Sequence, residues 1–241
     1  LVQTLNALIL PTEGSVDIDG MLTTSKSKDL KAIRQKVGLV FQYPEYQLFE
    51  ETIALDIAFG PKNLGLDQEE IDRRVKESME LVGLDYESMK DQSPFELSGG
   101  QKRRVAIASV LAMKPKYLIL DEPTAGLDPE GRDSILSEIK ELYNRDENIT
   151  IVIVSHSMED IAKLANRVIV MHQGQVFADD HPRKVYARDE ELEKIGLDVP
   201  QITKATRLLK NKGYDFDDTI ITVEEALDAI LKIKGGKKDA R

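Results

Sequence analysis

Two adjacent carboxylates and a glycine-rich turn are the residues of this chain whose types and spacing could do chemistry. Asp121 and Glu122 follow the apolar run 117–120, which predicts a buried strand that ends in two acids. One carboxylate could hold a hard divalent cation, and its neighbour could act as a base. The turn Leu97-Ser98-Gly99-Gly100-Gln101 opens a predicted helix, whose first backbone N–H groups could bind an anion. The two stretches together predict phosphate chemistry.

The elements that must position these groups alternate between helices and apolar strands. Predicted strands at 37–41, 117–121 and 150–154 are almost wholly apolar, which is typical of strands buried on both faces of a parallel sheet. Gln42, the Asp121–Glu122 pair and His156 lie at or just beyond the carboxyl ends of these strands, where open α/β sheets bind ligands. The sequence therefore predicts an α/β fold with a largely parallel sheet flanked by helices.

Helical periodicity indicates how the rest of the chain is organised. An opening helix would place Val2, Leu5, Leu8 and Ile9 on one face and stop at Pro11, and further helices are predicted at 28–36, 129–143 and 158–165. We expect one domain over residues 1–182, with a helical subdomain at about 52–113. Residues 183–241 form a helical extension that is too small for its own core, so it should contact a partner or the main domain. The spacing of Thr222 and Glu225 predicts a capping box before its last helix.

Composition narrows the class of protein. The net charge of −10 over 241 residues argues against nonspecific binding to nucleic acid. Cysteine is absent, so disulfides and thiolate metal sites are excluded. No apolar run approaches the roughly 20 residues that a membrane-spanning helix needs. Any phosphate site must therefore be local and must use backbone amides and a few polar side chains.

Five motifs in series resemble the ATP-binding cassette (ABC) ATPases, which have a P-loop type of α/β fold. Residues 97–101 match the signature motif of that family, and residues 117–121 match its Walker B strand. Glu122 matches the catalytic carboxylate and residues 125–128 match the D-loop, while Gln42 and His156 match the Q-loop glutamine and the switch histidine. The resemblance covers about residues 1–180, in the family's order and spacing.

A narrower resemblance is to the ATPase subunits of energy-coupling factor (ECF) transporters. It is carried by residues 41–49, by Ala58-Phe59-Gly60-Pro61 and by the C-terminal extension. Residues 93–96 and 196–204 are most similar to the second paralogue of the paired, vitamin-type systems. This resemblance implies a homodimer or a heterodimer with a second ABC ATPase subunit. It also implies a transmembrane scaffold subunit and a substrate-binding membrane subunit, with the chain peripheral on the cytoplasmic face of the cell membrane.

The resemblance implies a role for each motif residue, with ATP and Mg²⁺ as the cofactors. Asp121 would hold Mg²⁺, and Gln42 would contact Mg²⁺ or the attacking water. Glu122 would activate that water, and His156 would contact the γ-phosphate. The signature and the D-loop would act on a nucleotide bound by the opposite subunit, through the residues Ser98, Gly99, Gly100, Gln101 and Asp128. Asp128 could equally be the N-cap of the following helix.

Other polar and apolar groups near these motifs have simpler explanations. Lys102, Arg103 and Arg104 are at helical spacing, and a solvated face or a contact with the partner subunit explains them better than direct nucleotide contact. Tyr46, Leu48 and Phe49 form an apolar cluster that would serve either core packing or the groove for the transmembrane subunit. His172 and His181 lie near turns and are expected to be solvated.

The chain departs from the family at its first residues. The family's phosphate loop, Gly-x-x-x-x-Gly-Lys-Ser/Thr, immediately precedes the helix with which this sequence starts, and no such motif occurs in it. We therefore expect the chain to be a fragment that lacks Walker A and that is inactive alone.

The rival functions are the ATPase of another ABC importer, a soluble ABC ATPase outside transport, and a catalytically incompetent fragment. The short span between Gln42 and Leu97 leaves no room for the long inserts of many soluble ABC ATPases. Co-purification with membrane subunits would distinguish the importers.

Overall fold

The computed structural model describes residues 1–24, 30–145 and 148–236. The chain divides into two compact units, residues 1–154 and 155–241, and each is considered by itself. The division expected from the sequence, at 182/183, stays a prediction. Parts of two predicted segments, residues 28–29 and 237–241, lie outside the described residues. Within those described, no helix has the length and apolarity needed to cross a membrane.

The first unit alternates helices and strands as the sequence predicts. In chain order its elements are α1 (Val2–Leu5), β1 (Val16–Ile18), β2 (Met21–Thr23), α2 (Leu30–Lys36), β3 (Val37–Val40), α3 (Ile53–Leu64), α4 (Gln68–Leu81), α5 (Tyr86–Met89), α6 (Gly99–Leu111), β4 (Tyr117–Asp121), α7 (Pro129–Arg145) and β5 (Thr150–Val154).

A parallel sheet in the order β3-β4-β5 lies at the centre of the first unit. Val40 pairs with Leu120, and Asp121 pairs with Val154. Strand β3 and the middle of β4 are buried, as their continuous apolar runs predict. Strand β5 has one neighbour among the described strands, and Val152 on it is 37% exposed. The predicted parallel α/β sheet is confirmed, with β5 less buried than its sequence indicates.

The opening helix is much shorter than its apolar pattern predicts. It ends at Leu5 because Ala7 takes the left-handed conformation, with φ 56°. The N–H groups of Leu8 and Ile9 both donate to the carbonyl of Gln3, at 2.9 and 3.0 Å, and so close a turn. Leu8 and Ile9 are therefore exposed rather than packed. The prediction of a helix to Pro11 was wrong.

Helices α3, α4 and α5 begin at residues with capping side chains, and their grouping into a helical subdomain stays a prediction. Thr52, Asp67 and Asp85 each accept a hydrogen bond from a backbone N–H in the first turn of α3, α4 and α5, which satisfies donors that a helix start leaves unpaired. Helix α3 continues through Pro61 and ends at Gly65, whose φ of 82° is the left-handed conformation of a helix C-cap. The separation between α3 and α4 therefore begins at Gly65, while Pro61 lies inside α3.

The second unit combines a hairpin with short helices. Its elements are α8 (Met158–Leu164), β6 (Val168–His172), β7 (Gln175–Asp180), α9 (Pro182–Tyr186), α10 (Asp189–Lys194), α11 (Gln201–Asn211) and α12 (Val223–Gly236). Strands β6 and β7 are antiparallel, and both residues of their turn have positive φ, as a tight hairpin requires. Phe216, Ile220 and Ala226 form a core cluster with side chains of α11 and α12.

The predicted capping box of α12 is confirmed. The Glu225 N–H donates to Thr222 Oγ1 at 3.3 Å, and the Thr222 N–H donates to Glu225 Oε2 at 3.4 Å. The Glu225 carboxylate also pairs with Arg183 of α9. Although burial alone would raise the pKa of Glu225, the Arg183 bond and the two backbone donors lower it overall. Arg183 therefore joins α9 to α12.

Candidate active site

The two candidate carboxylates lie where β4 ends. Asp121 is the last residue of β4, and the N–H of the next residue, Glu122, donates to the Val154 carbonyl on β5 at 2.8 Å. Glu122 has φ 49°, a left-handed conformation that non-glycine residues adopt mainly where surrounding contacts require it. The backbone therefore turns sharply at Glu122 and does not continue the strand.

Electrostatics within this pair are unfavourable for the ionised form of Asp121. Burial raises the pKa of the Asp121 carboxyl, and the negative charge of Glu122 raises it further. A divalent cation would relieve both effects, and carboxylate oxygens are ligands that Mg²⁺ prefers. The described residues hold no cluster of three or more His, Cys, Asp or Glu side chains placed to bind a metal. The pair of carboxylates nonetheless fits Mg²⁺, which commonly takes one or two carboxylates from a protein and completes its shell with water and phosphate oxygens.

Gln42 lies at the same edge of the sheet. It is two residues beyond Val40, and Glu122 is two residues beyond Leu120, the partner of Val40 in the register. Gln42 is exposed and precedes Tyr43, whose φ of 55° begins a 3₁₀ turn at Pro44–Gln47. Parallel pairing of β3 and β4 therefore places the amide and the two carboxylates at one end of the sheet, as the sequence predicts.

The glycine-rich turn begins α6 with a capping box. The Gln101 N–H donates to Ser98 Oγ at 3.3 Å, and the Ser98 N–H donates to Gln101 Oε1 at 3.1 Å. A Cβ added at Gly99 or Gly100 would meet nothing within 4 Å, and neither glycine has a positive φ. Among the described residues, no contact or backbone conformation therefore requires glycine at these two positions, and their predicted part in binding a phosphate stays a prediction.

Asp128 caps the start of a helix, which is one of the two roles that the sequence left open for it. Its Oδ1 accepts the Gly131 N–H at 2.8 Å, and its carbonyl accepts the Arg132 N–H at 2.9 Å. Asp128 is therefore the N-cap of α7, and Pro129 is the first helical residue, where its missing N–H has no cost. A Cβ at Gly131 would lie 2.7 Å from Asp128 Oδ1, so the Asp128 side chain would have to shift if a larger residue stood there. A contact of Asp128 with a second subunit stays a prediction.

His156 belongs to the second unit, where it precedes α8. It is exposed and follows Ser155, whose Oγ accepts the Ser157 N–H at 3.0 Å. Ser157 in turn caps α8 through its Oγ, which accepts the Asp160 N–H at 3.2 Å. The turn that carries His156 is thus held by local hydrogen bonds at the start of a helix. Its predicted contact with a γ-phosphate stays a prediction.

The structure corrects the expectation of a solvated face for two of the three basic residues of α6. The Arg103 side chain is 1% exposed and pairs with Glu45. Arg104 Nη2 donates to Ser134 Oγ at 2.8 Å and pairs with Glu138 on α7. The apolar residues that follow at helical spacing are shared by Lys102, Arg103 and Arg104, so the sequence held no signal specific to the burial of Arg103. Lys102 is half-buried.

Asp56 was not predicted as a site residue, yet it fixes the loop that follows Gln42. It is 5% exposed on α3, and its Oδ2 accepts the N–H groups of Phe49 and Glu50 at 2.9 and 3.1 Å. Ser109 of α6 donates to Oδ1 at 3.4 Å. Because Asp56 lies between Ile53 and Ile57 on the buried face of its helix, its position indicated a structural role.

The apolar cluster beyond Gln42 divides between core and surface. Leu48 is buried, whereas Tyr46 is 85% and Phe49 is 56% exposed. The Phe49 ring packs edge-on against Phe59 of α3, with 4.9 Å between ring centroids, and Phe59 is itself exposed. The cluster therefore serves the predicted core packing through Leu48. Its exposed aromatic rings remain available for the predicted contact with a partner.

Comparisons with known proteins agree with this geometry. A family model described as ABC transporter matches residues 1–125. The energy-coupling factor transporter ATP-binding protein EcfA2 of Clostridium tetani is 58% identical over 237 residues, which are 98% of this chain and 82% of that protein. The protein of the same name from Bacillus subtilis is 48% identical over 241 residues, 99% of this chain and 87% of its own length.

Two solved structures have the same fold. The first is cbiO1 from Clostridium perfringens, described as part of the ABC transporter complex cbiONQ. It gives a TM-score of 0.70 at 36% identity and covers 86% of this chain and 80% of its own. The second is the ATP-binding cassette MJ0796 as a dimer in a post-hydrolysis state with ADP and Pi. It gives a TM-score of 0.63 at 31% identity and covers 75% of this chain and 78% of its own.

The sheet, its terminal carboxylates and the glycine-opened helix define an ATP-binding cassette of the ABC class, with that class's P-loop type of α/β fold. Within that class, the chain belongs to the family of energy-coupling factor transporter ATP-binding proteins. The predicted fold and family are therefore confirmed, and the name EcfA2 of the relatives agrees with the predicted second paralogue.

Proposed function

We propose that the chain is the ATP-binding and hydrolysing subunit that energises an ECF-type importer for vitamins or other micronutrients. The observation that carries this is the arrangement at one end of the parallel sheet. There β4 ends in the Asp121–Glu122 pair and its neighbour β3 leads into Gln42. A carboxylate pair beside an amide, at the ligand-binding edge of an α/β sheet, suits an enzyme that positions a metal-bound phosphate and a water.

The proposal assigns a role to each of these residues. Asp121 would hold Mg²⁺, which when bound neutralises charge on the nucleotide phosphates, and Gln42 would contact Mg²⁺ or the attacking water. Glu122 would orient the attacking water and accept its proton, and His156 would contact the γ-phosphate. The backbone N–H groups at the start of α6, with Ser98 and Gln101, would bind the γ-phosphate of a nucleotide held by a second ABC ATPase subunit.

The remaining partners would be membrane proteins. A transmembrane scaffold subunit and a substrate-binding membrane subunit would receive the chain at the cytoplasmic face of the membrane. Exposed aromatic rings of the kind enriched at protein interfaces support this contact, and Tyr46, Phe49 and Phe59 supply them. Co-purification of all the subunits from the membrane fraction tests it, with a Tyr46→Ala variant expected to lower the yield of the complex.

Substitution of the proposed base tests the hydrolysis. In the transporter assembled from its complete subunits, Glu122→Gln should lower ATP turnover by about 100-fold or more, because the amide cannot accept the proton. ATP-dependent dimerisation of the ATPase subunits, measured by light scattering, should persist. Glu130→Gln, on an exposed residue in the first turn of α7, is the matched control and should leave turnover unchanged. Near-normal hydrolysis by Glu122→Gln would remove Glu122 from this role.

A further inference from the structure

Arg103 is a cation buried between the two segments that carry the proposed catalytic groups. Its guanidinium donates from Nη1 to the Pro123 carbonyl at 2.8 Å and from Nη2 to the Ala125 carbonyl at 3.0 Å. Nε and Nη2 also donate to the Glu45 carboxylate at 3.2–3.3 Å. One side chain of α6 therefore holds the turn after Glu122 and the 3₁₀ turn after Gln42.

These contacts need an arginine. The planar guanidinium presents five N–H donors in a rigid fork, whereas lysine offers a single point charge on a flexible stem. Arg103 uses that fork on a carboxylate and two carbonyls at once, from a position 1% exposed to solvent. Exchange of such a buried pair for apolar residues is often neutral or even stabilising, so stability alone does not explain the charge at this position.

The turn that Arg103 holds is the one that sets the direction of Glu122. The Glu122 N–H donates to Val154, the Ala125 N–H donates back to the Glu122 carbonyl at 3.1 Å, and Glu122 itself has a positive φ. A residue in this conformation needs surroundings that fix it. The bonds from Arg103 to the two carbonyls fix the far side of the turn.

A second contact joins the same two segments. Gly126 has φ 74°, and a Cβ placed on it would lie 3.2 Å from Cε1 of Tyr43. Tyr43, between Gln42 and the 3₁₀ turn, also has a positive φ. The two loops are thus in contact through Tyr43 and Gly126 as well as through Arg103 and Glu45.

We propose that Arg103 is a positioning residue for hydrolysis. It fixes the Glu122 turn against the Gln42 segment, so that the carboxylate and the amide keep the separation that the attacking water requires. This inference rests on the proposed function, in which Glu122 is the base. Because a misplacement of about 1 Å can cost about 100-fold in rate, loss of the fork should change turnover more than it changes nucleotide affinity.

The primary test is Arg103→Lys in the complete protein assembled with its partner subunits. This variant keeps the positive charge opposite Glu45, but a single flexible ammonium cannot reproduce the rigid fork that spans the carboxylate and both carbonyls. We expect kcat for ATP to fall about tenfold while KM stays within about twofold. Arg103→Met, which removes the charge as well, should fall at least as far. Should Arg103→Met fail to fold, Arg103→Lys alone decides the matter.

Arg74 provides the matched control. It is also a poorly exposed arginine that combines one carboxylate, Glu70 at 2.7 Å, with one backbone carbonyl, Ala112 at 3.2 Å. Because it lies on α4, away from the sheet edge, Arg74→Lys removes an arginine fork without touching the proposed machinery. We expect its kcat and KM to equal those of the unsubstituted protein.

Hydrogen exchange of the ATP-free protein provides a readout that does not depend on hydrolysis. Arg103→Lys should speed exchange of the Ala125 and Leu127 amides, whose acceptors are the Glu122 and Thr124 carbonyls, while Arg74→Lys should not. Unchanged exchange, or faster exchange with unchanged kcat, overturns the positioning role. If the unsubstituted complex hydrolyses no ATP, the proposed function fails, and the exchange measurement still decides whether Arg103 holds the turn.

Discussion

At the scale of single residues, Asp121 combines a proposed catalytic role with a cost to stability. Burial and the Glu122 charge raise its pKa in the folded chain above the ordinary value of about 3.8. The folded state therefore binds the proton more tightly than the unfolded state does, so stability falls as pH rises through the interval between the two pKa values. Burial and the neighbouring Glu122 charge therefore make the ionised form of Asp121 a cost to stability at neutral pH.

Asp121→Asn should therefore raise the melting temperature at neutral pH, because the neutral amide removes the cost of burying a charge as well as the repulsion with Glu122. The gain should shrink as pH is lowered below the ordinary aspartate pKa, where Asp121 is protonated in both the folded and the unfolded state. Thermal melts of both proteins between about pH 3 and pH 7 measure this. Asp91→Asn, on an exposed loop residue, is the control, and a gain that does not depend on pH would contradict this explanation.

At the scale of elements, the start of α6 should trade stability against function. Gly100 has open space around it and no positive φ, so Gly100→Ala should stabilise the chain by about 0.4–1 kcal/mol through helix propensity and reduced freedom of the unfolded state. The added methyl group would obstruct the proposed approach of a phosphate. ATP turnover of the assembled complex should therefore fall while urea denaturation shows a more stable fold. A more stable variant with full activity would show that no group approaches this backbone.

The loop after Gln42 depends on α3 through Asp56. Asp56→Ala removes the acceptor of the Phe49 and Glu50 amides and should cost about 1–3 kcal/mol in the free energy of unfolding, as measured by urea denaturation. Asp72→Ala, which removes an exposed bond to Gln68 on α4, should stay within about 0.5 kcal/mol. Equal losses in the two variants would show that the Asp56 hydrogen bonds contribute no more to stability than an exposed surface bond does.

How far the elements could be predicted depended on whether their signals were local. β3, β4 and β5 have continuous apolar runs, and α4 and α12 have side-chain caps within three residues of their starts, so these elements were found. The length of α1 was not, because the left-handed Ala7 and its turn have no marker in the sequence.

Contacts in the candidate site were harder to predict for the same reason. Arg103 and Glu45 are 58 residues apart in the chain, and nothing near either residue specifies the other. Strand ends placed Gln42 beside Asp121 and Glu122 correctly, since parallel strands bring their carboxyl ends to one edge. The residues that hold those groups in position had to come from the structure.

At the scale of the whole molecule, the proposed function divides the motifs between two nucleotides. Asp121 and Glu122 would act on the nucleotide of their own subunit, and Ser98–Gln101 on that of the opposite subunit. If the second subunit is another copy of this chain, the dimer is twofold symmetric and contains this composite site twice. This division can be tested without measuring turnover, since Glu122→Gln should retain ATP and Gly100→Ala should release it.

Dimers of two differently tagged copies of the complete protein separate the alternatives. When both substitutions are in one copy, the Glu122→Gln site faces an unaltered signature and should retain about one ATP per dimer. When each copy carries one substitution, the Glu122→Gln site faces Gly100→Ala and should retain none, while the other site is intact and turns over. If both motifs served the nucleotide of their own subunit, the two results would be exchanged. Filter binding with labelled ATP counts the retained nucleotide, with the Glu122→Gln homodimer as the reference for both sites filled.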